Sequence, residues 1–270
     1  VSYIHEKVTN FPDDTNREFK KIAEAFAALN VKPAPTPLWS CDFSKWPTDY
    51  GFSIQAKDPS RVILVNVDGR PGVRLLTMPE DININGSGAH NRCDLRLGND
   101  LSFAKEGNKV TFKHSVLFPL EFVQPPESGD PIPPGIWQWG SWFNWHDDRD
   151  NSGSQGPVQG MFMPATAVSA DRPTGLIYQF FGGTTGNKLL SEPKLGPIVR
   201  NKWYDFESDI YWTSTDKGFY ETTLDGTLIF SYKGPTLHAG AGAYLKLANY
   251  HTAGLMSAII HGKAAIFRKV

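Results

Sequence analysis

The chain has 270 residues, a formal net charge of −1 and an apolar share of 40%. It is long enough to bury a full core in one domain, holds no apolar run that could span a bilayer, and has no Lys/Arg cluster of the kind that binds nucleic acid. A nearly neutral protein exerts no global pull on a polyanion, so any acidic polymer would have to be met by a local basic patch.

In chain order, residues 14 to 30 read as one helix, with Phe19, Ile22, Ala23 and Phe26 at helical spacing and Asp14 or Thr15 as the cap. A Pro-rich stretch over 33 to 37 ends it. This gives an N-terminal helix and linker over 1–37 and a second domain over 38–270. The helical segment could pack on that domain or mediate an oligomer or larger assembly. From Leu38 onward the pattern is short strands and turns, as 25 Gly, 20 Pro, 8 Trp and 9 Tyr suggest. Arg61 to Val67 and Gly72 to Thr77 flank an Asp-Gly-Arg-Pro turn. Lys109 to Leu117 alternates, and Gly175 to Phe181 is nearly all apolar. Trp203 to Trp212 sets Tyr204, Phe206, Ile210 and Trp212 against Asp205, Glu207 and Asp209. Phe219 to Leu224 turns through Asp225-Gly226 into Thr227 to Tyr232, a hairpin signal, and 258 to 268 form the last strand. The expected fold is all-β: an antiparallel sandwich of the jelly-roll, concanavalin-like kind, one sheet curved into a groove. Polar loops at 124 to 135 and 147 to 157 are long enough to overhang a site.

Cys41 and Cys93 could form one disulfide but make neither a framework nor a zinc pattern. Cys93 falls on the apolar side of its strand, so a buried free thiol is expected. The chain opens at Val1 without a visible signal peptide, as a mature or trimmed form would.

Three strand-like stretches carry chemistry: 91–97 (NRCDLRL), 142–146 (WFNWH) and 244–250 (YLKLANY). Alternation puts Arg92, Asp94 and Arg96 on one face, as it does Asn144 and His146, and Lys246 and Tyr250. The opposite faces hold Cys93, Leu95 and Leu97, then Phe143 and Trp145, then Leu245 and Leu247. If the strands are neighbours, guanidinium, amide, imidazole and phenol converge on one sheet surface, within reach of a single sugar ring. That set suits β-elimination from a uronic acid in a polysaccharide. Arginine matches a carboxylate with a planar fork, and asparagine adds a donor for the charge that develops. Histidine titrates near neutrality, and tyrosine can protonate the departing oxygen. A tyrosine lowered by adjacent Arg and Lys could also act as base. No metal or nucleotide is needed for the bond-breaking step.

These stretches resemble motifs of jelly-roll polysaccharide lyases. Asn144-Trp145-His146 is similar to their Gln-x-His strand, Asn91 to Arg96 to their Arg-Ser-Glu-Leu-Arg strand, and Tyr244 to Tyr250 to their Tyr-Phe-Lys-x-Gly-x-Tyr strand. Lys202 to Phe206, Asp216 to Phe219 and Leu224 to Gly226 resemble the glucuronan and heparin lyase branch, with alginate lyases more distant. The resemblance covers roughly residues 60 to 268. It implies that Arg92 and Asn144 neutralise the substrate carboxylate and that His146 and Tyr250 move protons, with Arg96, Tyr244 and Lys246 binding substrate. It also implies an acidic polysaccharide partner and an extracellular or virion-borne setting. Some relatives hold a structural calcium, for which Asp147-Asp148-Arg149-Asp150 could supply oxygens.

Two other readings use the same fold. A glycosidase needs paired carboxylates, and Glu207 with Asp209 gives two on one face. A non-catalytic carbohydrate-binding module or lectin needs fewer fixed residues. His90 and Gln179 are further possible groove residues, and His251 faces away from Tyr250.

Overall fold

The computed structural model describes residues 17–22, 35–82, 84, 90–98, 101–122, 140–148, 158–163, 175–180, 198–252 and 256–269. Residues 17–22 are helical; the remainder of the expected helix, most of the two long loops, and Arg149 and Asp150 lie outside the described residues. The chain divides into two compact units, Val1–Thr36 and Pro37–Val270.

The second unit is an antiparallel β-sandwich, the jelly-roll type expected. Its strands are β1 (Trp39–Cys41), β2 (Phe52–Ala56), β3 (Val62–Val67), β4 (Arg70–Thr77), β5 (His90–Leu97), β6 (Lys109–Leu117) and β7 (Gly140–Asp147). They continue as β8 (Val158–Met163), β9 (Gly175–Phe180), β10 (Trp203–Tyr211), β11 (Phe219–Leu224), β12 (Thr227–Lys233), β13 (Ala243–Thr252) and β14 (Ser257–Arg268). One sheet runs β12-β11-β10-β6-β14-β4-β3, with β1 also pairing β14; the other runs β2-β5-β13-β7-β8-β9. The hairpin at Asp225-Gly226 has φ of 50° and 78°, and Asp68-Gly69 has 54° and 76°. Such left-handed pairs are what Asp-Gly supplies in a tight hairpin. The second turn is therefore tighter than the sequence predicts, because β4 already includes Arg70 and Pro71.

The core lies between the sheets. Cys93, Leu95, Leu97, Phe143, Trp145, Leu245 and Leu247 face it from one side, and Val110, Phe112, Tyr204, Phe206, Ile210 and Trp212 from the other. Trp145 meets Trp212 with ring centroids 5.0 Å apart, and Trp142 meets Phe206 at 5.0 Å. Each large buried side chain is worth about 1.5–3 kcal/mol relative to exposure. This apolar set fixes which way every strand faces, since a one-residue slip would turn it to water. Cys41 and Cys93 are both free and buried.

Candidate active site

β5, β13 and β7 lie side by side, with β13 bonded on both flanks. Tyr250 pairs with Arg92 and Ser141, Lys246 with Arg96 and Asn144, and Tyr244 with His146. Directly paired residues of an antiparallel ladder project to the same side. Arg92, Arg96, Asn144, His146, Tyr244, Lys246 and Tyr250 therefore share the outer face of the six-stranded sheet.

They form two groups. In the first, the Arg92 guanidinium lies 4.5 Å over the Tyr250 ring, and the edge of His90 meets that ring at 5.8 Å and 90°. In the second, the Arg96 guanidinium lies 4.3 Å over Tyr244, and His146 stacks on the same ring at 5.1 Å. Lys246 Nζ stands 5.8 Å from that ring. Tyr244 is only 2% exposed, so it is the platform beneath Arg96 and His146 more than a surface offered to ligand. Between the groups, Asp94 pairs with Gln55 and with the small residue Ala248, and its Oδ2 lies 3.3 Å from Arg92 Nε.

This division separates two residues along the sheet. His146 pairs with Tyr244, six residues from Tyr250 along β13. At about 3.3 Å per residue that is roughly 20 Å of strand between the backbone positions of Tyr244 and Tyr250. Alternation reveals the face a side chain takes, but its place along the sheet depends on pairing register, which no single stretch displays. His90 is the histidine beside Tyr250, and its step of two from Arg92 was the signal that placed it on this face. Gln55 was not foreseen, because β2 carries no motif; its Oε1 and Asn144 Oδ1 are buried without a hydrogen-bond partner. The backbone register continues from Asn144 to Gln159 and on to Gln179.

Electrostatics refine the roles open to these groups. Burial pushes the Tyr250 phenol above its ordinary value and outweighs the pull of Arg92, the reverse of the lowering expected from its cationic neighbours. The phenol thus keeps its proton near neutrality and can donate it. Burial, then Lys246, pushes His146 down, and burial, then Arg92, does the same to His90, so both imidazoles are neutral near pH 7. Burial raises Asp94 against the opposing influence of Arg92, Lys246 and a hydrogen bond from the Asn249 backbone N–H. His251 is buried, its Nε2 2.7 Å from Thr77 Oγ1, and takes no part in this face.

The acids of the glycosidase reading lie on the other sheet. Glu207 pairs with Lys113 at 2.8 Å, and Asp209 is held by Lys269 and Thr111. A cavity of about 760 Å³ on that sheet is lined by Arg70, Lys113, Asp205 and Glu207, whose charges are already paired with one another. On the described site face of β5, β7 and β13 the one carboxylate is Asp94, so a hydrolytic pair is missing there. As for calcium, Asp148 Oδ1 accepts the Gly242 N–H at 2.9 Å, and among the described residues no group of three or more His, Cys, Asp or Glu could hold a metal ion.

Comparison with known proteins bears on the chemistry. Among curated proteins, none matches the chain. Among solved structures it is similar to an endo-β-1,4-glucuronan lyase from the fungus Trichoderma reesei: TM-score 0.61 and 11% identity over 87% of this chain and 96% of that one. It is similar to the alginate lyase Aly36B, with TM-score 0.57 and 14% identity over 88% of this chain and 98% of that one. It also resembles a carbohydrate esterase from the Shiga toxin-encoding bacteriophage phi24B, with TM-score 0.51 and 11% identity over 88% of this chain and 100% of that one. At such identities these likenesses establish a shared fold, and the esterase shows that the fold by itself does not set the reaction. The family model described as "Polysaccharide lyase" goes further, matching residues 38–264. With that match over most of its length, the chain belongs to the polysaccharide lyase family and is a jelly-roll lyase.

Proposed function

We propose that this lyase cleaves a uronate-containing polysaccharide by β-elimination, leaving a 4,5-unsaturated uronate end. The observation that carries the reading is the Arg92–Tyr250 stack, four residues along β13 from the Arg96–Lys246–Asn144 rank. A sugar ring over Ala248 would have one cationic group on each side, the two ranks being about 13 Å apart along the strand. Arg92 would meet the carboxylate and keep it neutralised as charge develops on removal of the C5 proton. Asn144 would add a neutral donor from the opposite rank. Tyr250, protonated at neutral pH, would give its proton to the O4 oxygen as the C4–O4 bond breaks. Proton removal falls to the neutral imidazole within reach, His90. Arg96, Lys246, Tyr244 and His146 would hold the adjoining sugar.

An acidic polysaccharide fits this cationic face, and Aly36B variants have been solved with alginate tri- and tetrasaccharides. No cofactor enters the scheme. A polymer of this kind places the enzyme outside the cell or on a virus particle. The test is a panel of uronate polymers followed by ultraviolet absorbance. Absorbance should rise with one of them, and Tyr250→Phe should abolish the rise while polymer binding persists. New reducing ends without absorbance would overturn the reading, as would full activity in the variant.

A further inference from the structure

Behind the site, the two sheets are tied together at a pair of strand irregularities. On the β7 side the register of β13 shifts between Leu247 and Tyr250, so Ala248 and Asn249 face one residue, Trp142. In the opposite sheet the pairing of β14 with β6 shifts between His261 and Ala264. A bulge leaves ladder groups unpaired and re-aims the strand. Here the unpaired groups find partners across the sandwich. His261 Nε2 lies 3.1 Å from the Ala248 carbonyl oxygen, and His114 Nε2 lies 3.0 Å from His261 Nδ1. Asn249 Nδ2 donates to the carbonyls of Leu75 and Ser257, each at 2.9 Å.

The same peptide that offers the Ala248 oxygen to the core sends its N–H, on Asn249, to the Asp94 carboxylate on the site face. It therefore lies across the sheet instead of within it. The chemistry of the acceptors fixes the protons. A carbonyl only accepts, so His261 carries its proton on Nε2 and leaves Nδ1 bare. His114 must then donate from Nε2, which leaves its own Nδ1 bare, and that atom is buried with no partner. Both rings are fully enclosed; His114 is stacked on Trp142 at 5.6 Å and on His261 at 5.2 Å.

We propose that His261, backed by His114, is a positioning residue for the lyase reaction. Its hydrogen bond holds the crosswise peptide of β13, the peptide presents an N–H to Asp94, and Asp94 orients Arg92 over Tyr250. Bonds in such a chain polarise one another, so loss at the core end weakens the grip at the site end. Only the kinetic readout rests on the proposed β-elimination.

The experiment compares wild type, His261→Gln and His261→Leu on the polymer that wild type cleaves, with histidine-ring nitrogen shifts recorded on the wild-type protein. Glutamine can both donate to the Ala248 carbonyl and accept from His114; leucine can do neither. His261→Leu should lose kcat by about tenfold or more with KM changed by less than about twofold, and His261→Gln should recover most of the rate. If His261→Leu does not fold, His114→Phe keeps a ring against Trp142 while removing the donor, and should lower kcat in the same direction. The nitrogen shifts should report both histidines neutral with the proton on Nε2. Unchanged kcat in a folded His261→Leu, equal impairment of Gln and Leu, or an Nδ1–H tautomer at His261 would each overturn the proposal. A wild type that cleaves no uronate polymer refutes the functional reading instead, and the tautomers then decide the inference alone.

Discussion

Acid should destabilise the sandwich through its buried histidines. Burial lowers the His261 pKa from 6.5 to about 4, because an imidazolium cannot be solvated between the sheets. Between those values the unfolded chain takes up a proton that the folded chain refuses. The contribution of the neutral histidine is therefore complete above about pH 6.5, shrinks as pH falls, and is exhausted near pH 4. At about 1.4 kcal/mol per pKa unit the interval amounts to about 3 kcal/mol, a substantial part of the roughly 5–15 kcal/mol of a typical domain. His114, also pushed down by burial, acts in the same direction. Asp94 acts in the opposite one: its pKa is raised, so its protonation on acidification favours the folded state. Urea unfolding of wild type and His261→Gln from pH 8 to pH 4 separates these effects, since every other group is common to both. The stability advantage of wild type over the variant should shrink by about 3 kcal/mol between pH 7 and pH 4. A difference that does not vary with pH would show that His261 is not held neutral in the fold.

Other outcomes rest on particular contacts. His90→Ala should lower kcat, because His90 meets the Tyr250 ring, whereas His146→Ala should chiefly raise KM, because His146 belongs to the Tyr244 group; steady-state kinetics would show the reverse if His146 were the proton acceptor. Gly262→Ala would put a Cβ 2.7 Å from the Trp203 ring and 3.1 Å from Ser115 Cβ, and thermal melts should register about 1–3 kcal/mol of destabilisation. Burial pushes the Cys41 thiol up to about 12 and Cys93 well above its ordinary value, so neither should react with a thiol reagent until the protein unfolds. Labelling of the native state, followed by mass spectrometry, would contradict that burial.

Much of the architecture was legible because burial leaves a period of two in the sequence. Cys93, Leu95 and Leu97 on one side of β5, with Arg92 and Arg96 on the other, declare a strand with one wet face, and β7 and β13 do the same. The Asp225-Gly226 turn was equally plain, since a left-handed pair of residues selects Asp-Gly. Trp142 was harder: it is buried like its neighbour Phe143 because the ladder slips beside it, and strict alternation has no place for two successive inward residues.

The site shows the same boundary between local pattern and pairing. Taken alone, the sequence determined which side chains lie on the wet face of each motif strand, because turning any of them inward would expose a row of leucines and aromatics. Only the tertiary structure decided their neighbours. It set Tyr250 against Arg92 and His90, moved His146 to the Tyr244 end, and brought in Gln55 from β2. It also placed His114 and His261 beneath Ala248, residues whose sequence positions give no hint of the site. The reason is physical: facing is dictated by each strand's own contrast between apolar and polar residues, whereas register is a property of two strands together.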